Sequence, residues 1–97
     1  MKSIQHIVTS SNSPLVIPMN DRGGVRGVAA TPAGAGNYTV EFTLTPQQIG
    51  LTNNPVAITE MTAETTVQSV EIGPVTAIIV TLNSGTSVTL DITQSDV

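Results

Sequence analysis

The chain alternates polar and branched apolar residues along several short segments. The clearest are YTVEFTLT at residues 38–45 and SVTLDIT at residues 87–93, where threonine, serine or an acid fills every second position. Successive side chains of a β-strand point to opposite faces of a sheet, so this pattern predicts strands with one apolar and one polar face. No stretch has the periodicity of a three-turn helix. We therefore expect an all-β fold.

Strand-like segments recur about every 8–12 residues, which is the spacing of β-sandwiches and barrels. The predicted strands cover residues 2–9, 15–19, 25–30, 38–45, 66–72, 75–82 and 87–93. Residues 56–66 are ambiguous, and read as a short strand followed by one helical turn around Glu60 to Glu64. Together these segments predict an antiparallel β-sandwich or small jelly roll of about seven strands, in one domain spanning residues 1–97.

Glycine and proline positions refine this prediction. Pro18 has no N–H to donate, which places its strand at a sheet edge. Gly27, inside a predicted strand, indicates a bulge or a close approach of backbone. Residues 31–37 and 83–86 read as turns, and residues 73–74 as a tight hairpin connection.

The predicted core is aliphatic, because the chain has one Tyr, one Phe and no Trp. The side chains expected to point inward are Tyr38, Val40, Phe42 and Leu44 in one strand and Val88, Leu90 and Ile92 in another. Their neighbours Thr39, Glu41, Thr43, Thr45, Thr89, Asp91 and Thr93 are expected to point outward.

Charge is scarce in this chain. Only 10% of the 97 residues are Asp, Glu, Lys or Arg, against roughly 25% in an ordinary soluble domain. A threonine-rich surface with few charges can contact other protein at little desolvation cost. The net charge of −4 argues against a nucleic-acid partner, which needs a basic face. No apolar run approaches the ~20 residues of a membrane span, and no signal peptide is expected.

Chemistry-bearing residues are few and scattered. Without cysteine there is no thiol nucleophile or thiolate metal ligand. His6, the single histidine, shares a predicted strand face with Ile4 and Val8, which favours a core or rim histidine over a zinc ligand. No serine lies in a G-x-S-x-G elbow. We expect no enzymatic activity, cofactor or metal, although a carboxylate pair facing across two strands could bind Ca²⁺ at a subunit junction.

Two loops are the predicted partner contacts. The RGGVRG turn at residues 22–27 holds two of the three cations, and its glycines suit a positive-φ turn. Residues 46–55 form the longest irregular segment. The predicted contact residues are Asn20, Asp21, Arg22, Arg26, Gln47, Gln48, Asn53 and Asn54.

Two segments are similar to a group of small virion proteins of tailed bacteriophages. Residues 14–45, PLVIPMNDRGGVRGVAATPAGAGNYTVEFTLT, resemble their first half, and residues 72–96, IGPVTAIIVTLNSGTSVTLDITQSD, resemble their C-terminal hairpin. The resemblance implies a capsid decoration or cement protein on the outer head surface. It further implies a homotrimer that contacts the major capsid protein or another virion protein and assembles in the host cytoplasm.

Two other functions stay open on the sequence. A tail, neck or fibre-base subunit could use the same sandwich. A carbohydrate-binding or adhesin module is the second alternative, but such modules display aromatic faces, whereas Tyr38 and Phe42 share a predicted core face with Val40 and Leu44.

Overall fold

The structure, a computed structural model, is a sandwich of two four-stranded antiparallel sheets. It describes residues 2–19, 26–44, 54–73 and 75–94. The all-β prediction is confirmed, with eight strands in place of about seven. The eighth is a short strand in the segment that the sequence left ambiguous.

The strands are β1 (Lys2–Val8), β2 (Leu15–Pro18), β3 (Arg26–Ala33), β4 (Asn37–Thr43), β5 (Pro55–Ala57), β6 (Gln68–Ile72), β7 (Ala77–Ser84) and β8 (Ser87–Gln94). Sheet 1 has the order β1-β8-β3-β6, and sheet 2 has the order β2-β7-β4-β5. Pro18 therefore lies in an edge strand, as predicted.

The chain crosses between the sheets at almost every connection. Among consecutive strands, only β4 and β5 pair with each other. The predicted hairpin at residues 73–74 is wrong, because β6 lies in sheet 1 and β7 in sheet 2. The C-terminal hairpin that the resemblance implied is wrong for the same reason, since β7 and β8 lie in opposite sheets. A short turn can connect two paired strands of one sheet or two strands of opposite sheets. The turn residues alone therefore do not distinguish a hairpin from a connection between sheets.

Apolar side chains from both sheets fill the space between them. Tyr38, Val40, Val88, Leu90 and Ile92 are buried there as predicted, and Phe42 packs against the same cluster. Leu44 is a correction: it lies beyond the end of β4 and is 62% exposed. Thr43, predicted to face solvent, is a second correction because it is 1% exposed.

Three strands extend into predicted turns. Residues 31–33 continue β3, Asn37 begins β4, and Ser84 ends β7, so only the remainder of each segment turns. In the turns themselves, Gly85 has φ +94° and lies against Gly36. A Cβ at Gly85 would lie 2.4 Å from the Gly36 Cα, so glycine is required by both backbone conformation and space.

Between β5 and β6 the chain forms a single 3-10 turn, Thr59–Met61, whose Met61 is buried. After it, Glu64 exchanges two backbone hydrogen bonds with Tyr38 of β4, at 2.8 and 2.9 Å. The Tyr38 hydroxyl donates a 2.7 Å hydrogen bond to the Thr66 carbonyl. These contacts hold the segment that leads to β6. No helix of the described residues is long and apolar enough to cross a membrane.

Candidate interaction surface

Most of the predicted contact residues lie outside the described part of the chain. Asn20, Asp21, Arg22, Gln47, Gln48 and Asn53 belong to segments that the structure does not describe. Arg26 begins β3, and Asn54 is an exposed residue just before β5. The prediction that these loops contact a partner therefore stays a prediction.

His6 is half-buried on the edge strand β1. It pairs with Leu90 of β8, so its side chain lies on the inner face of sheet 1. This position agrees with the predicted core or rim histidine. Among the described residues, no group of three His, Cys, Asp or Glu side chains is placed to hold a metal ion.

An open groove of about 500 Å³ crosses the outer face of sheet 1. Its lining residues are Gly27, Val28, Ala29, Ser69, Val70, Glu71, Asp91 and Thr93. The carboxylates of Glu71 and Asp91 stand on β6 and β8, with β3 between them. The backbones of these two residues are thus at least about 10 Å apart, which is two strand spacings. The Asp91 Oδ1 also accepts a 2.8 Å hydrogen bond from the Gln5 side chain.

The floor of this groove is formed by the smallest side chains of β3. The close approach of backbone predicted at Gly27 is wrong, because the one atom near a Cβ there is the Thr93 side-chain Oγ1, at 2.8 Å. Gly27 also keeps a regular register with its neighbours on β6 and β8, so it forms no bulge. Because these residues of β3 are small, no large side chain projects from the centre of the outer face of sheet 1.

Within the described residues, one edge of sheet 1 is open along β1. In the described part of the chain, β1 pairs only with β8. At its C-terminal end, the Asn12 side chain donates a 3.1 Å hydrogen bond to the Ile7 carbonyl and accepts a 2.6 Å bond from the Thr9 N–H. The Asn12 amide thus takes the place of one peptide group of a neighbouring strand. Because backbone groups alternate in direction along a strand, Ser3 and Gln5 direct theirs to the same side.

The four edge strands differ in how they are protected. Both edges of sheet 2 contain proline, Pro18 in β2 and Pro55 in β5. Proline withholds a backbone donor and discourages addition of another strand. The edge strands of sheet 1, β1 and β6, contain no proline. Sheet 1 therefore has the two edges that can accept a further strand.

Of the six large hydrophobic side chains exposed among the described residues, five lie in or next to edge strands, at the two lateral sides of the sandwich. On one side they are Ile4 and Ile7 of β1 and Val16 of β2; on the other they are Val56 of β5 and Val67 before β6. The sixth, Leu44, follows the inner strand β4. The outer faces between these sides carry threonine, alanine and few charges. Alternation predicted those faces, but it did not reveal the lateral sides, because strand order is needed to find edge strands.

The surface of the described residues combines these features. It has two unlike apolar sides, two open strand edges and low-charge outer faces. Comparison with known proteins adds no further guide to its role. No protein-family model matches the chain, and no significant match is found among curated proteins or solved structures.

Proposed function

We propose that the chain is a non-enzymatic structural subunit of a bacteriophage virion: a decoration protein that binds the outer capsid surface as a homotrimer. Its partners are then copies of itself and the major capsid protein. The resemblance of residues 14–45 and 72–96 to small virion proteins supports the virion role. The structural observation that carries the homotrimer is the pair of exposed apolar sides on one sandwich.

Two unlike sides favour head-to-tail association. In such an assembly one side of each copy covers the other side of the next, and a rotation that closes produces a ring. The ring would cover Ile7 and Val16 on one side and Val56 and Val67 on the other. It would also protect the open edge of β1, which otherwise invites uncontrolled strand addition.

The low-charge outer faces suit contact with a shell. Thr39 and Thr81 stand on the outer face of sheet 2, and Thr89 and Thr93 on that of sheet 1. Such side chains lose less hydration energy than charged side chains when protein covers them. A trimer that binds only the assembled lattice stabilises that lattice by mass action, and three sites in one trimer add avidity.

Particles assembled without the chain provide the test. We expect these heads to release their DNA at a lower temperature than complete heads, and purified protein to restore the original temperature. Immunogold electron microscopy of complete particles should place the label on heads. Label confined to tails would contradict the decoration role and favour a tail or neck subunit, and unlabelled particles would contradict any virion role.

The aromatic residues bear on the carbohydrate-binding alternative. Tyr38 is fully buried, and Phe42 packs against the core from the inner face of sheet 2. The chain has no other aromatic residue. Neither ring is available as a platform for stacking a sugar, so the surface observations favour contact with protein.

A further inference from the structure

We propose that copies of the chain join through sheet 1, with the open edge of β1 in one copy paired to the outer edge of β6 in the next. This inference rests on the homotrimer of the proposed function and specifies its subunit contact. The trimer would then contain one continuous antiparallel sheet that passes through all three copies.

Strand direction permits this pairing. Each neighbouring pair in sheet 1 is antiparallel, and the sheet has four strands, so β1 and β6 run in opposite directions. Rotation about an axis along the strands leaves their directions unchanged. The β6 edge of one copy therefore meets the β1 edge of the next in the same antiparallel sense as every other pair in the sheet.

The register brings complementary residues to the same height. Gln5, Asp91, Ala29 and Ser69 form one row across sheet 1. A row two residues away contains Ile7, Thr89 and Thr31, and its continuation reaches Val67, directly before β6. Without stagger between copies, Gln5 lies beside Ser69 and Ile7 beside Val67 of the next copy.

Ile7 and Val67 are the exposed apolar side chains that this contact would cover. Ile7 is 56% exposed and Val67 is 63% exposed. Ile7 stands on the outer face of sheet 1, one position before the buried Val8. Val67 lies directly before β6, and continuing the alternation of that strand by one residue assigns it to the same face. Apolar cross-strand pairs of this kind stabilise antiparallel sheets.

The backbone of β1 supplies the hydrogen bonds. Ser3 and Gln5 direct their N–H and C=O groups toward the open edge, and Asn12 occupies the position at its end. The edges of sheet 2 contain Pro18 and Pro55, so strand addition is favoured at sheet 1 alone. A second copy of the chain is the occupant because β1 and β6 offer matched edges on every copy.

Disulfide crosslinking tests the contact directly, since the chain has no cysteine of its own. In one copy, Gln5 and Ser69 are separated by three strand spacings, about 14 Å. A disulfide requires Cα atoms within about 7 Å, so Gln5→Cys and Ser69→Cys in the same chain cannot crosslink internally. Across the proposed contact the two positions are directly opposed, about 5.5 Å apart.

We expect the double variant, oxidised at micromolar concentration, to form covalent trimers on a non-reducing gel. The control pairs Gln5→Cys with Thr31→Cys, which lies on the same face but on the inner strand β3, and should remain monomeric. Circular dichroism verifies that each variant is folded. Covalent dimers from Gln5→Cys alone would overturn the proposal in favour of β1 pairing with β1.

Light scattering of the unmodified chain distinguishes a failure of the β1–β6 contact from a failure of the homotrimer. A trimer whose Gln5→Cys, Ser69→Cys variant fails to crosslink would overturn the β1–β6 contact and leave the homotrimer standing. A monomer would contradict the homotrimer itself. A second variant needs no oxidation: Val67→Glu should shift the mass toward the monomer, whereas Thr31→Glu should leave it unchanged.

Discussion

At the scale of single residues, Glu64 and Tyr38 stabilise the connection between the two sheets. The Glu64 carboxylate accepts hydrogen bonds from the Thr65 N–H, the Thr66 N–H and the Thr66 hydroxyl, at 2.9, 3.2 and 2.9 Å. These bonds lower the pKa of Glu64 from its ordinary value. Burial, and then the nearby Glu64 carboxylate, raise the pKa of Tyr38. The neutral phenol and ionised carboxylate are therefore the forms that fit the folded protein.

The lowered pKa of Glu64 predicts a loss of stability in acid. The unfolded chain binds this proton near pH 4.5 and the folded chain only at lower pH. The contribution is therefore present above pH 4.5 and disappears as the pH falls through the lowered pKa of the folded state. We expect Glu64→Gln to flatten the decline in unfolding free energy between pH 5 and pH 3, as measured by urea titration.

Glu60→Gln is the matched control for this measurement. Glu60 is an exposed carboxylate of the neighbouring 3-10 turn, so its substitution removes one acid from the same segment and leaves the hydrogen bonds from Thr65 and Thr66 to Glu64 in place. An unchanged slope in Glu64→Gln would contradict the proposed hydrogen-bonding role of that carboxylate.

At the scale of the elements, the turns that connect the sheets depend on close packing between loops. Residues 34–36 lead from β3 to β4, and residues 85–86 lead from β7 to β8. The two turns touch at Gly36 and Gly85, and the Thr86 N–H donates a 3.3 Å hydrogen bond to the Ala33 carbonyl. Both connections pass from one sheet to the other, so this contact fixes one end of the sandwich.

Gly85→Ala should destabilise the fold by at least about 2 kcal/mol. A positive φ costs a non-glycine residue roughly 1–2 kcal/mol, and the added Cβ would meet the Gly36 Cα at 2.4 Å. Gly73→Ala is the control, because a Cβ there has no neighbour within 4 Å and φ is not positive. Equal unfolding free energies for the two variants, from chemical denaturation, would contradict this account of the turn.

The element scale also shows where prediction from sequence succeeds and fails. Alternation identified the core positions of β4 and β8, because burial on one face imposes a period of two. It did not identify strand pairing: β7 and β8 read as a hairpin, yet each pairs with strands distant in sequence. Leu44 and Thr43 were misassigned because alternation fails where β4 ends.

At the scale of the whole molecule, the contact surface follows from strand order. Ile7 and Val67 are 60 residues apart in the sequence (67 − 7). Neither the segment around Ile7 nor the segment around Val67 indicates by itself that the two share an interface. They become the two halves of one contact only when β1 and β6 are known to be opposite edges of one sheet. The predicted loop contacts, such as Arg22 and Gln47, lie outside the described residues and await direct test.

The solution mass of the purified chain tests the central claim most directly. Light scattering coupled to size exclusion, at micromolar concentration, should give a mass of three times 10.0 kDa. The homotrimer requires this result, because the exposed sides of each copy are covered by its neighbours. A mass of 10.0 kDa at every concentration would contradict it, and the two apolar sides would then need another partner.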